Sequence, residues 1–141
     1  MRTFTYPFQF VPAAEGGYVV TCRDVPEAIT QGETIEDAMI EAADALDEAL
    51  QGRMEDGEDI PEASQARKGE SLVAPPVGTA LKLATYLALR DAKISRSELA
   101  RRLDLDEKEI RRVLDPKHPT KAGRLEDVLH ALGRRVDVSV A

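Results

Sequence analysis

The chain has 141 residues, one cysteine, two histidines and a net charge of −7. That length fits one ordinary domain or two very small ones, and a lone thiol excludes an internal disulfide and suits a reducing cytoplasm. The histidines and cysteine are too few for a zinc site, no stretch reaches the roughly 18 apolar residues of a membrane helix, and MRTFTYPFQF lacks the apolar core of a signal peptide.

From the N-terminus, TFTYPFQF alternates and sets Phe4, Tyr6, Phe8 and Phe10 on one side, the pattern of a half-buried strand. Pro7 within it argues for a sheet edge, because proline has no N–H to donate to a ladder. AAEGG is a turn, and YVVTCR, rich in β-branched residues, is a second strand, so residues 3–23 read as a hairpin. AITQG, after DVPE, is a short third strand. Five of the chain's six aromatic residues fall within residues 4–18, which places most of the bulky core in this sheet.

Thr34 then caps a helix, with Asp37 three residues on. Ile35, Ala38, Met39, Ala42, Leu46, Ala49 and Leu50 recur at helical spacing, and Glu36, Asp37, Glu41, Asp44, Asp47 and Glu48 take the other face. The alanines suit close approach to a sheet, and Gly52 ends the helix within a turn. GRMEDGEDIPEASQARKGE is a polar connection, and SLVAP is a short fourth strand.

The prolines of APPVG form a stiff spacer, residues 75–78, between a first domain over 1–74 and a second over 79–141. Charge changes sign near it. Residues 1–70 hold 5 basic and 16 acidic side chains, net −11; residues 71–141 hold 14 and 10, net +4. Two modules with different partners follow from such asymmetry, the acidic one repelling nucleic acid and favouring basic proteins, the basic one the reverse.

The second half is helical. TALKLATYLALRDA aligns Leu81, Ala84, Leu87 and Ala88. SRSELARRL opens on Ser95 as N-cap with Glu98 three on, and DEKEIRRVL repeats the device with Asp106 and Glu109. RLEDVLHALG forms a further helix with Leu125, Val128, Leu129 and Leu132 inward, and RVDVSVA closes the chain as an alternating strand of Val136, Val138 and Val140. Within residues 95–114, two capped helices of about two turns each lie a few residues apart. Leu99, Leu103, Leu105, Ile110 and Val113 supply an inner face, and Ala100 sits where crossing helices come closest. This is a helix-turn-helix pattern, with Asp104 at the turn position that glycine usually holds. Aspartate tolerates the left-handed backbone better than most residues. In such units the second helix enters the major groove, which points to Lys108, Arg111 and Arg112 outward and Glu107 near the entry end. Arg96, Lys117, Lys121 and Arg124 flank it and suit phosphate contact. The candidate DNA-binding set is Ser95, Arg96, Glu107, Lys108, Arg111, Arg112, Lys117, Thr120 and Lys121.

Across nearly its whole length the chain resembles the HicB antitoxin family of bacterial type II toxin–antitoxin pairs. Over residues 4–75 the resemblance is carried by Tyr6-Pro7, Gly17-Tyr18-Val19-Val20, DVPEAITQGET with the amphipathic helix after it, Asp56-Gly57 and Ile60-Pro61. Over residues 79–141 it is to the subgroup with a Cro/repressor-type helix-turn-helix, through SRSELARRL, IRRVLDPKHPTK and LEDVLHALGRRVDVSV. One local departure is Glu27-Ala28, where the family often has a Gly-Cys pair. The resemblance implies an α+β chain: a partial ribonuclease H-like domain of a small antiparallel-containing sheet and one helix, non-catalytic, then an all-α helix-turn-helix domain with a short C-terminal strand. It implies binding to HicA, a small basic RNA-cleaving toxin whose active site the antitoxin covers, repression of the shared operon through its promoter DNA, and a homodimer or homotetramer, with no cofactor and no membrane. Candidate toxin contacts are Asp24, Glu36, Glu41, Asp44, Asp47 and Glu48, with a sheet edge as the other surface available. A stand-alone helix-turn-helix regulator with a ligand- or protein-binding first domain is the alternative.

Four features invite chemistry and have plainer readings. Cys22 shares alternation with Tyr18 and Val20 and faces the apolar side of the sheet, far in sequence from both histidines, so it reads as a small core residue. Asp24 lacks the further inward carboxylates that a two-metal nuclease gathers, and reads as a turn residue. MEDGEDIPE lacks the ligand spacing of a calcium loop and reads as a solvated loop, and His118, between its prolines, is open to a phosphate contact or to a plain loop role.

Overall fold

The computed structural model describes residues 1–141 and places them in two compact units, 1–76 and 77–141. The first unit is a four-stranded antiparallel sheet with one helix. Its strands are β1 (Tyr6–Pro12), β2 (Tyr18–Cys22), β3 (Thr30–Gly32) and β4 (Glu70–Val73), in the order β3-β2-β1-β4, and its helix is α1 (Ile35–Glu55). The hairpin turns through Gly16 and Gly17, with the Ala13 N–H donating to Gly17 O at 2.9 Å. Alternation does what the sequence pattern predicts: Tyr6, Phe8, Val20 and Cys22 are buried on the face that meets α1. Each large apolar side chain fully buried there contributes roughly 1.5–3 kcal/mol.

Pro7 does not mark an edge. β1 lies in the interior of the sheet, between β2 and β4. The β1–β2 pairing starts at Phe8–Cys22, one residue after Pro7, so the missing donor costs that ladder no bond.

Helix α1 is capped as its sequence suggests, with Thr34 Oγ1 accepting from Asp37 N at 3.1 Å. It buries Ala38, Ala42, Leu46, Leu50 and Met54. The first of these packs against Gly32 so closely that a Cβ built there would lie 2.5 Å from Ala38 N and 2.6 Å from Ala38 Cα. The polar connection after α1 is tied down at several points. Tyr6 Oη donates to Pro61 O at 2.7 Å, and Asp24 accepts from Ser64 N at 2.8 Å and Ser64 Oγ at 2.6 Å. Arg23 donates to both Glu70 oxygens at 2.9 and 3.1 Å and to Gln65 O at 2.7 Å.

The second unit holds α2 (Val77–Ala92), α3 (Arg96–Leu103), α4 (Glu107–Leu114) and α5 (Ala122–Ala131). Its core gathers Leu99, Ala100, Ile110, Val113, Leu125 and Val128. Helix α2 begins at Val77, directly after Pro76, within the stretch read as spacer. Its buried stripe is Thr79, Lys82, Leu83, Thr85 and Ala88, which shares only Ala88 with the line of Leu81, Ala84, Leu87 and Ala88 that hydrophobicity alone suggests. The displaced leucines are half-buried, and the polar residues that replace them meet hydrogen-bond partners.

The C-terminal strand expected over RVDVSVA does not form. Residues 134–141 carry no strand, and Val138 and Val140 are 82% and 92% exposed. A strand exists only through a ladder, and no segment of this chain pairs with it.

The Gly32 contact is backbone against backbone and has no flexible side chain to yield. Gly32→Ala is expected to destabilise the first unit by about 2 kcal/mol or more, as overpacking of a tight contact does. Urea unfolding followed by circular dichroism measures it, and an unchanged midpoint would show that the helix can lift off the sheet freely.

Candidate functional site

Two surfaces stand out by charge. The first is built on α3 and α4. Ser95 Oγ accepts from Glu98 N at 3.0 Å and Asp106 Oδ1 accepts from Glu109 N at 2.8 Å, so both helices start on a capped turn. Three residues join them. Asp104 takes the left-handed conformation at φ 52° and ψ 46°, and Leu105 N donates back to Ala100 O at 3.0 Å. Ala100, 5% exposed, lets the helices cross closely, and Ser97 Oγ donates to Glu107 Oε1 at 2.6 Å across the pair.

The cations of this surface divide into engaged and free. Glu98 takes Arg101 at 2.6 and 2.9 Å and Arg102 at 3.1 Å, and these guanidinium contacts hold its carboxyl below the usual range. Arg112 lies 3.8 Å from Glu109. Arg96, Lys108, Arg111, Lys121 and Arg124 are exposed and form no ion pair within the chain. Of the residues singled out from sequence, Ser95 and Glu107 are therefore occupied by local bonds, and Lys108 and Arg111 stand free on the outer side of α4. Thr120 turns inward as well: its Oγ1 accepts from Lys82 Nζ at 2.7 Å.

Lys82 was not among those residues. It is 5% exposed, and its ammonium also donates to Val113 O at 2.7 Å, Asp115 O at 2.9 Å and Arg112 O at 3.1 Å. Burial pulls its pKa down from 10.5 to about 8, with the Asp115 charge opposing. The only signal in the sequence is a lysine set between Leu81 and Leu83 in an otherwise apolar run.

The second surface is the solvent face of α1. Glu36, Glu41, Asp44 and Glu48 are exposed and unpaired, whereas Asp47 is half-buried and accepts from Gln51 Nε2 at 2.8 Å. Asp24 lies apart from this face, its side chain 10% exposed and both oxygens held by Ser64. Glu27 is clamped by Arg53 at 2.6 and 2.8 Å, which lowers its pKa. No group of three or more histidine, cysteine, aspartate or glutamate side chains is placed to hold a metal ion. Nor is any helix long and apolar enough to cross a membrane.

Residues 5–84 match a protein family described as the HicB_like antitoxin of bacterial toxin–antitoxin systems. The chain is 36% identical over 140 residues to a protein named Antitoxin HicB 1 of Photorhabdus laumondii, covering 99% of this chain and 89% of that one. It is 38% identical over 133 residues to Antitoxin HicB of Escherichia coli K12, covering 94% and 96%. A match to Antitoxin HicB of Pseudomonas fluorescens runs at 32% identity over 126 residues, 89% and 86% of the two chains. With two thirds or more of each relative covered at above 30% identity, the chain belongs to the HicB family of bacterial toxin–antitoxin antitoxins.

Proposed function

We propose that this antitoxin binds and occludes a HicA-type, RNA-cleaving toxin through its acidic first unit, and represses its own operon by binding promoter DNA through α3 and α4. The observation that carries this reading is the separation of charge between the two units. Residues 71–76 bear no charge, so the first unit holds the whole −11 and the second the whole +4. Relatives named as antitoxins over nearly the full chain favour this reading over a stand-alone regulator.

The sheet with α1 is read as a partial ribonuclease H-like domain that performs no catalysis; Asp24 and Glu27, the carboxylates nearest a nuclease arrangement, are each spent on a partner. The acidic face of α1 is the toxin-facing surface. Like charges at i,i+4 destabilise a helix by roughly 0.2–0.5 kcal/mol per pair, so an unpaired face of this kind works against the fold and in favour of a basic partner. Reversing Glu41, Asp44 and Glu48 together to lysine should slow association with a HicA-type toxin encoded by a neighbouring open reading frame, where one is found, by about tenfold or more at low salt, with a smaller change in dissociation. Surface plasmon resonance measures both rates. Equal association rates would remove α1 from the interface, and failure of the wild-type chain to co-purify with that neighbour would end the toxin-binding reading.

Helices α3 and α4 are read as a helix-turn-helix with α4 in the major groove. Lys108 and Arg111 face the bases, and Arg96, Lys117, Lys121 and Arg124 face phosphates. Arg111→Ala with Arg112→Ala should weaken promoter binding about ten- to hundredfold, the loss of one or two base contacts, and leave toxin binding intact. Loss of both activities in a gel-shift and pull-down comparison would indicate misfolding rather than lost readout.

One such unit reads few bases, and pairing two copies supplies a second half-site. The tail offers a self-complementary edge: in an antiparallel pair centred on Val136, Arg135 of one copy faces Asp137 of the other. These two side chains meet within one copy at 2.9 Å. Deleting residues 135–141 is expected to lower the sedimentation mass to that of a smaller oligomer, and an unchanged mass would rule the tail out as the contact.

A further inference from the structure

We infer that Lys82 is a positioning residue for the DNA-facing surface: its buried ammonium joins the C-terminal end of α4 to the segment 115–120 and so fixes where Arg111, Arg112, Lys117 and Lys121 stand relative to one another. The inference rests on the DNA-binding reading above and assigns a residue outside the contact surface to it.

The geometry is that of a clamp. The last carbonyls of a helix lack intrahelical donors, and they carry the negative end of its dipole. At α4, the carbonyls of Arg112 and Val113 receive Lys82 Nζ at 3.1 and 2.7 Å. The same nitrogen reaches Asp115 O at 2.9 Å and Thr120 Oγ1 at 2.7 Å, beyond the end of the helix. Thr120 Oγ1 in turn donates to His118 O at 3.4 Å. An ammonium has three protons to share among these oxygens. No carboxylate is among them, so the site is built to hold a donor in place rather than to neutralise a charge. A methylene chain of the same length would leave the buried Val113 carbonyl without a donor, while Arg112 O would keep Asp115 N at 3.3 Å and Asp115 O would keep His118 N at 3.1 Å.

Protonation matters because a neutral amine offers only two protons and no charge. The one charged side chain that acts on the Lys82 ammonium is Asp115, and its direct contacts are the carbonyls of Arg112, Val113 and Asp115 and the Thr120 hydroxyl. Asp115 helps retain the proton and burial opposes it, which brings the pKa to about 8. Arginines, and lysines in water, stay charged well above that value. The sign of the stability effect is opposite to that of binding. Between about 8 and 10.5 the unfolded chain holds a proton that folded Lys82 has released, so this group makes folding more favourable as pH rises through that window. The clamp loosens in the same window. The contribution of Lys82 to stability therefore rises where affinity for DNA falls, which a lysine that only supported the fold would not produce.

The test measures binding of the full chain to the DNA fragment immediately upstream of its own coding sequence, from about pH 7 to about pH 10, with thermal unfolding at each pH. Wild type is expected to lose roughly tenfold in affinity across pH 8 without a matching fall in melting temperature, and Lys82→Met to bind weakly at every pH. Thr120→Val, which removes one acceptor and keeps the core, should lose a few-fold in affinity and serves where Lys82→Met does not fold. A folded Lys82→Met that binds like wild type, or a wild-type affinity that is flat through pH 8, would overturn the inference. Should wild type fail to bind the fragment at all, the DNA reading fails, and amide hydrogen exchange decides the inference: Lys82→Met must speed exchange in residues 111–121 selectively, and unchanged exchange there refutes it.

Discussion

Polar groups enter the interior of this chain only where a partner meets them, and no buried side-chain nitrogen or oxygen is left without one. That constraint shapes both units. In the first, Asp24, Arg23 and Tyr6 fasten the connection between α1 and β4 against the sheet, which lets a polar segment with few apolar residues hold one course. In the second, Lys82 and Thr85 occupy a helix face that would otherwise be leucine, because oxygens of α4, the segment after it and α2 itself receive them. An unmet donor or acceptor in either place would cost about 1–3 kcal/mol, a large share of a small domain's stability.

What was legible in the sequence is what is decided within a few residues. The caps at Thr34, Ser95 and Asp106 are local bonds between a side chain and a backbone N–H three positions on, and each forms where the residue types call for it. The left-handed turn at Asp104 follows from the three-residue connection between two short helices. The alternation of Tyr6, Phe8, Val20 and Cys22 reads directly as a buried face. What was not legible depends on residues far along the chain. Pro7 looked like an edge residue because the pairing of β1 with β4 spans more than 60 positions. The role of Lys82 does not show in the sequence because its acceptors lie 30 to 38 residues away. At the candidate site the pairing is local, Glu98 taking Arg101 and Arg102 at i,i+3 and i,i+4, but spacing alone does not say that one carboxylate engages both.

The two units stand on different kinds of packing. The sheet unit relies on aromatics and on alanines that bring α1 against Gly32, so its helix has little freedom to shift, and its acidic face is held at a set height above the sheet. The helical unit has no large aromatic in its core and relies on aliphatic side chains around Ala100. The first unit thus presents its helix face on a fixed base, and the second gathers short helices around a small aliphatic core.

Cys22 is 1% exposed, and burial raises its thiol pKa, so almost no thiolate exists at neutral pH and none of it meets solvent. The chain's single sulfhydryl is thus silent toward alkylating reagents and oxidants while β2 stays in place, and reacts only after the sheet has opened. The rate at which it is labelled is a clock for that opening, written into the native sequence and needing no added probe.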